Sequence, residues 1–212
     1  MGQAAPRAPA RALRRDIPMT DMIRRAFAAG TRDSTGRPGA KYWQLWTDYT
    51  IQARLDPATS QVTGRERIVV RNTSDSALTS VALRLDQNIY APNVPRLESV
   101  PEITDGMTIM RMTVNGEVVD LNPPAPQFRR GGPAPQPRLA AYGLNSTTAR
   151  ITLPTPVAAH ASVTLEVEWS FRVPRAEGQR GLRLGRWADS LYQVAQWYPR
   201  VAVFDDLRGW DT

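Results

Sequence analysis

The chain has 212 residues, with 27 Lys and Arg against 20 Asp and Glu and a formal net charge of +7, a length that suits one domain of roughly 100–200 residues with tails. It has no Cys and a single His, His160, which excludes disulfide scaffolds, thiol nucleophiles, thiolate zinc sites and any site that needs two imidazoles. With 42% hydrophobic and 22% charged residues, it is neither disordered throughout nor membrane-embedded.

The charge is unevenly placed. Residues 1–40 hold eight Arg against Asp16, Asp21 and Asp33, and Lys41 is the one lysine. Residues 42–212 hold 18 Arg against 17 acids and are close to neutral. A basic balance points to nucleic acid or an anionic surface, but here it applies only to the arm. Arg used in place of Lys reads as a compositional bias, so a solvated leader is expected and no nucleic-acid partner. Residues 1–18, rich in Ala, Pro and Arg, have no face to bury and read as disordered. No stretch approaches the ~20 apolar residues of a membrane span. The opening MGQAAPRAPARALRR lacks the apolar core of a signal peptide, and Pro6 stands where myristoylation wants Ser or Thr.

Elements follow in chain order. Met22, Ile23, Ala26 and Phe27 share a face at helical spacing, which predicts a short helix over 20–29. Thr20 or Asp21 is its cap and Gly30 its terminator, and the helix is expected to dock on its own domain. A turn-rich connector spans 31–40, so the leader is set at 1–40 and a β domain at 41–212. From Tyr42 the period becomes two. Tyr49, Ile51, Ala53 and Leu55 alternate with polar residues, Asp56 to Ser60 turns the chain, and Gln61 to Asn72 returns with Ile68 and Val70 opposite Arg67 and Arg71. This is an antiparallel hairpin. A third strand carries Val81, Leu83 and Leu85, and Met107–Val114 and Glu117–Leu121 flank Asn115-Gly116, a favoured two-residue turn. The segment 122–138, with six of the 18 prolines, is an exposed Pro-rich insertion. Val163 to Val173 forms the cleanest strand. Short strands joined by turns imply a mainly β fold, an antiparallel β-sandwich or saddle-shaped sheet with a short N-terminal helix.

Few residues invite chemistry. Asp205, Asp206 and Asp211 are nearer to turn carboxylates than to a hard-cation site, and Glu166 and Glu168 belong to a solvated strand face. His160 is a turn residue, and no catalytic or metal-ligating set emerges. Aromatic residues are more informative: Tyr42, Trp43, Trp46 and Tyr49 open the domain, and Trp187, Tyr192, Trp197, Tyr198, Phe204 and Trp210 close it. They form either a core and an interface, or the lining of a sugar- or peptide-binding groove.

The stretch from Tyr42-Trp43-Gln44 through YTIQARLDPATSQVTGRERIVVRNTSDSALTSVALRL resembles the opening of the N-terminal β domain of M1-family (gluzincin) zinc aminopeptidases. LPTPVAAHASVTLEVEWSFRVP is similar to a later strand of that domain. Residues 195–206, AQWYPRVAVFDD, followed by Gly209-Trp210, resemble the bacterial subgroup's QWYPxxAVYDDxxGW signature. The resemblance covers about 42–212 and leaves the Pro-rich insertion unmatched. It implies a non-catalytic domain that packs on a C-terminal catalytic domain of the same protein. Gln196, Trp197 and Tyr198 would form one wall of the peptide cleft. Zinc would lie in the catalytic domain, since neither HExxH nor GxMEN occurs here and no cofactor is expected in this chain. In members with a longer TQxE/Q motif the acidic or amide residue binds the substrate's first residue; Tyr198 takes that place here. Resemblance also implies a periplasmic or secreted protein. The other reading of the residues is a free-standing β-sandwich module that binds peptide or glycan.

Overall fold

The computed structural model describes residues 18–125, 137–176 and 183–212. Of the expected leader 1–40, the stretch 1–18 that reads as disordered falls almost wholly outside the described residues, as does 126–136 of the Pro-rich insertion. Two compact units meet in sequence between Tyr42 and Trp43.

The first unit is built on helix α1, Asp21–Ala29. Gly30 ends it in the left-handed region at φ 75°, its N–H bonded back to the carbonyl of Phe27, a conformation that suits a residue with no Cβ. Thr20 holds the N-cap position in extended conformation, but its side chain makes no capping bond. Asp21 instead pairs with Arg24 one turn on. The connector folds on Asp33, whose Oδ1 accepts from the Thr35 N–H at 2.8 Å, the Thr35 hydroxyl at 2.7 Å and the Arg37 N–H at 3.0 Å. These bonds, the Thr35 hydroxyl foremost, hold the Asp33 carboxyl below its ordinary value.

The second unit is the antiparallel β domain. Its strands are β1 (Trp46–Asp56), β2 (Gln61–Arg71), β3 (Leu78–Arg84), β4 (Met107–Val114), β5 (Glu117–Val118), β6 (Ala140–Tyr142), β7 (Thr148–Val157), β8 (Ser162–Arg172), β9 (Leu184–Trp187), β10 (Leu191–Val194), β11 (Arg200–Val201), β12 (Phe204–Asp205) and β13 (Gly209–Trp210). A five-stranded sheet runs β1-β2-β8-β4-β5 and a four-stranded one β11-β3-β7-β6, with two small ribbons, β9-β10 and β12-β13. The mainly β, antiparallel architecture with one short helix is the one the sequence pattern implies.

Alternation in the sequence becomes the two faces of the large sheet. Ile68 and Val70 of β2, Val163, Leu165 and Val167 of β8, and Met112 of β4 are almost fully buried. They meet Val81 and Leu83 of β3 and Ile151 of β7 in one continuous core. Arg65, Arg67, Glu166 and Glu168 alternate with them on the solvent side. Asn115 and Gly116 both take positive φ, 50° and 86°, at the β4–β5 turn, as the Asn-Gly pair predicts.

Two features were not legible in this detail. Strand β7 carries Pro154 and Pro156, which argue against a strand. Both fall between the pairs Ser80–Thr152 and Leu78–Val157, where the ladder is interrupted and no regular pairing is lost. The insertion's ends are tied together: the Asp120 N–H donates to Leu139 O at 3.1 Å, the Ala141 N–H to Asp120 O at 2.9 Å, and Arg138 pairs with Asp120 at 2.9 Å.

Candidate functional site

The inner face of β1, β2 and β8 carries the residues that could matter. Pairing sets Gly64 between Ala53 and Trp169, and Glu66 between Ile51 and Val167. Trp169 is fully buried because Gly64 leaves it room: a Cβ there would lie 2.3 Å from the Trp169 ring carbon Cζ2. The indole therefore lies flat on the β2 backbone.

Over this floor runs the segment 195–201. Trp197 packs on Trp169 with ring centroids 5.7 Å apart, and Tyr198 meets Trp197 at 5.1 Å and Tyr49 at 5.4 Å, both edge-on. Such tilted and T-shaped pairs are favoured by the rings' quadrupoles. Three further ties hold the segment down. Gln87 donates through Nε2 to the carbonyls of Ala195 at 3.2 Å and Gln196 at 3.0 Å. The Val201 N–H donates to the Tyr49 hydroxyl at 2.9 Å. Arg200 pairs with Asp86, which also takes Arg84 at 3.1 Å. The turn into the segment needs a left-handed residue, and Gln196 supplies it at φ 50°, a conformation that is uncommon for a residue with a side chain.

The three residues singled out as a cleft wall, Gln196, Trp197 and Tyr198, thus form one pinned strip, each partly exposed. Trp197 also walls a small groove with Ala53, Arg54, Leu55, Val62 and Val194. Further along, Phe204 stacks between Trp43 at 5.5 Å and Trp210 at 4.8 Å. Most aromatic residues at the two ends of the domain are brought together in this way, as ring packing on the sheet. Tyr42 belongs to the first unit, where the Arg32 guanidinium lies 5.1 Å from its ring centre. Leu191 and Val203 point outward, 60% and 66% exposed.

Sequence reasoning passed over the most unusual group. Glu66 is 3% exposed on the inner face, and neither carboxylate oxygen finds a hydrogen bond. Desolvation pushes its pKa up to about 8, so the carboxyl is neutral at physiological pH. Its neighbour on the same face, Tyr49, has its phenol pushed up to about 12, chiefly by burial. The signal was in the pattern, since Glu66 shares the parity of Ile68 and Val70.

Other candidates have structural roles. Asp205 Oδ1 accepts from the Leu207 N–H at 2.9 Å and the Arg208 N–H at 2.6 Å, the turn-capping role expected of it. Glu168 lies 3.8 Å from Arg111 on the solvated face, and the Thr113 hydroxyl reaches Glu166 at 3.4 Å. His160 sits in a turn at φ 59°, 3.1 Å from Asp75 and exposed. No group of three or more His, Asp or Glu that could hold a metal ion occurs among the described residues. No helix among them is long and apolar enough to cross a membrane.

No known protein family matches the chain, and no curated protein matches it. Among solved structures, the fold is similar to that of a point mutant of an M1 zinc metallopeptidase from Deinococcus radiodurans, with 13% identity over 68% of this chain and a TM-score of 0.38. The same mutant bound to a Tyr-Ser-Ala substrate gives 13% identity over 69% and a TM-score of 0.38. The likeness is a distant one of fold. This chain spans about a quarter of the length of those proteins, 24% and 25%.

Proposed function

We propose that this chain is the non-catalytic N-terminal β domain of an M1-like zinc metallopeptidase. It packs on a catalytic domain of the same protein, and Gln196, Trp197 and Tyr198 form one wall of the peptide cleft. The observation that carries this reading is the 195–210 segment. Its QWYP strip, the part of the sequence most similar to the family signature, is pinned by Gln87, Tyr49 and Asp86. Flat ring area and outward Leu191 and Val203 remain for a neighbour to cover. Among the described residues nothing bonds the Gln196 side-chain amide, which is left to a ligand's polar group, and Trp197 supplies a rigid apolar surface beside it.

The zinc of such an enzyme does not fit this chain. With one histidine and no cysteine, there is no tetrahedral N/S donor set, and the metal is assigned to the catalytic domain. What these residues do is position: a wall that excludes water and orients an extended peptide.

The test has two arms. The 212-residue chain is assayed with aminoacyl arylamides and zinc, and the same chain is assayed as part of the longer polypeptide that this reading requires its gene to encode. The expected result is chelator-sensitive turnover by the longer protein alone, with KM raised by Gln196→Ala. Chelator-sensitive turnover by the chain itself, or a longer gene product with no zinc-binding helix, overturns the proposal.

A further inference from the structure

The two sheets end in very different edges. β5 and β11 have two residues and β6 three, too short to recruit another strand. β1 has 11 residues and, among the described residues, pairs on one side only, with β2. Long natural edges are blunted by a proline, a bulge, an inward-pointing charge, charged side chains along the edge or a covering helix or loop. β1 has no proline, bulge or inward-pointing charge, and its outward charges, Asp48, Arg54 and Asp56, are of both signs. Its sequence WTDYTIQARLD lacks proline, its ladder with β2 is unbroken from Trp46–Arg71 to Asp56–Gln61, and its inward side chains Tyr49, Ile51, Ala53 and Leu55 are uncharged. Toward the hairpin end this edge is also bare, with Leu55 37% exposed and Ala53 exposed.

The charges on the outward face of β1 favour one partner. In an antiparallel pair of two β1 strands centred on Ile51, all 11 residues overlap. Asp48 of each copy then stands opposite Arg54 of the other, Thr50 opposite Gln52, and Ile51 opposite itself. Sliding the strands by two residues sets Asp48 against Gln52 in one direction and against Asp56 in the other. A slip of one residue would turn the apolar face of one copy toward the polar face of its partner. The groups needed are available. Arg54 is exposed and makes no ion pair among the described residues. Asp48 takes both of its bonds from Arg71 on Oδ2, at 3.0 and 2.7 Å, which leaves Oδ1 open.

We propose that the chain self-associates through β1, two copies joining their five-stranded sheets into one continuous sheet about a two-fold axis at Ile51. The main chain supplies about ten new ladder bonds, and the two Asp48–Arg54 contacts select the register. An isologous contact of this kind closes at two copies, so it yields a dimer and no fibre.

Sedimentation equilibrium of the 212-residue chain tests it, with two charge reversals at exposed positions. Wild type forms a dimer. Arg54→Asp places two like-charge pairs in the ladder and weakens the dimer at least about tenfold, and Asp48→Arg does the same. Mixing the two variants restores opposite charges at both contacts and yields a 1:1 heterodimer. A wild-type chain that remains monomeric at its highest soluble concentration overturns the proposal. So does a dimer indifferent to Arg54→Asp, or a mixture of variants that fails to associate.

Discussion

The core between the two large sheets and the C-terminal segment from Leu184 onward are built from similar residues by different means. In the core, β2 and β8, of 11 residues each, bury roughly every second side chain, β3 buries the continuous run Ser80 to Leu83, and Ile68, Leu83, Leu165 and Trp169 have no solvent contact. In the C-terminal segment no strand exceeds four residues, the rings of Trp197, Tyr198, Phe204 and Trp210 stay half exposed, and long-range side-chain bonds add to short ladders. The core is stabilised by its own alternation. The segment is a strap laid on a finished surface, held by single contacts, with apolar area to spare. Stability should therefore concentrate in the first region and ligand or partner contacts in the second.

The largest effect expected falls where the two regions meet. Trp169→Ala leaves a cavity over Gly64 and removes the ring on which Trp197 rests, a loss of about 4 kcal/mol. Urea denaturation should show both regions weakened together; a drop confined to the strap would break the distinction. Next comes Glu66. Its folded pKa of about 8 lies above the ordinary carboxyl value of 4.5, so the unfolded state releases a proton that the native state keeps as pH rises through this window. The sign follows from linkage: stability falls from pH 4.5 to 8, by roughly 3 kcal/mol by pH 7, and falls no further on this account above pH 8. Glu66→Met removes two unsatisfied oxygens at similar volume. It should flatten that slope and raise stability at pH 7 by on the order of 2 kcal/mol, read from thermal melts across the window.

The contrast between the regions also explains what the sequence disclosed. The β1–β2 hairpin, the Asn115-Gly116 turn and β8 were readable because period two and turn chemistry are local. Strands β6 and β7 were not, because Pro154 and Pro156 signal an ending, and only the interrupted register near Ser80 removes the conflict. The inward faces were read correctly, but not their coverage: Ala53 and Leu55 share a face with Ile51 and yet lie bare. Trp197 and Tyr198 stood out in the sequence as part of the aromatic cluster, and Gln196 was singled out through resemblance alone. Its clamp was invisible, since Gln87 and the carbonyl of Gln196 meet across more than a hundred residues. Glu66 broke the alternation of β2, standing at the inward parity of Ile68 and Val70, but its charge suggested a solvated face.

Smaller effects test the strap itself. Trp197→Ala removes a half-exposed ring packed tilted on Trp169 and edge-on against Tyr198, and should cost about 1–2 kcal/mol. Hydrogen exchange should quicken at Ala195 to Val201 while amides of β2 and β8 hold their protection; uniform loss would mean that the strap belongs to the core.

The smallest change is the most informative about partners. Val203 is 66% exposed, so Val203→Ser removes almost no buried area and should alter the stability of the chain by less than about 0.5 kcal/mol. If the strap is the surface on which a catalytic domain rests, the same methyl groups become buried in the longer protein, and their loss is felt there as weaker domain docking. The expected signature is a melt unchanged for the chain and lowered for the longer protein. A burial difference of this kind cannot arise from the strap's own packing, which is identical in both. Equal melts in both proteins would mean that Val203 faces water in each, and the apolar area beside Trp197 would then serve a ligand in place of a domain.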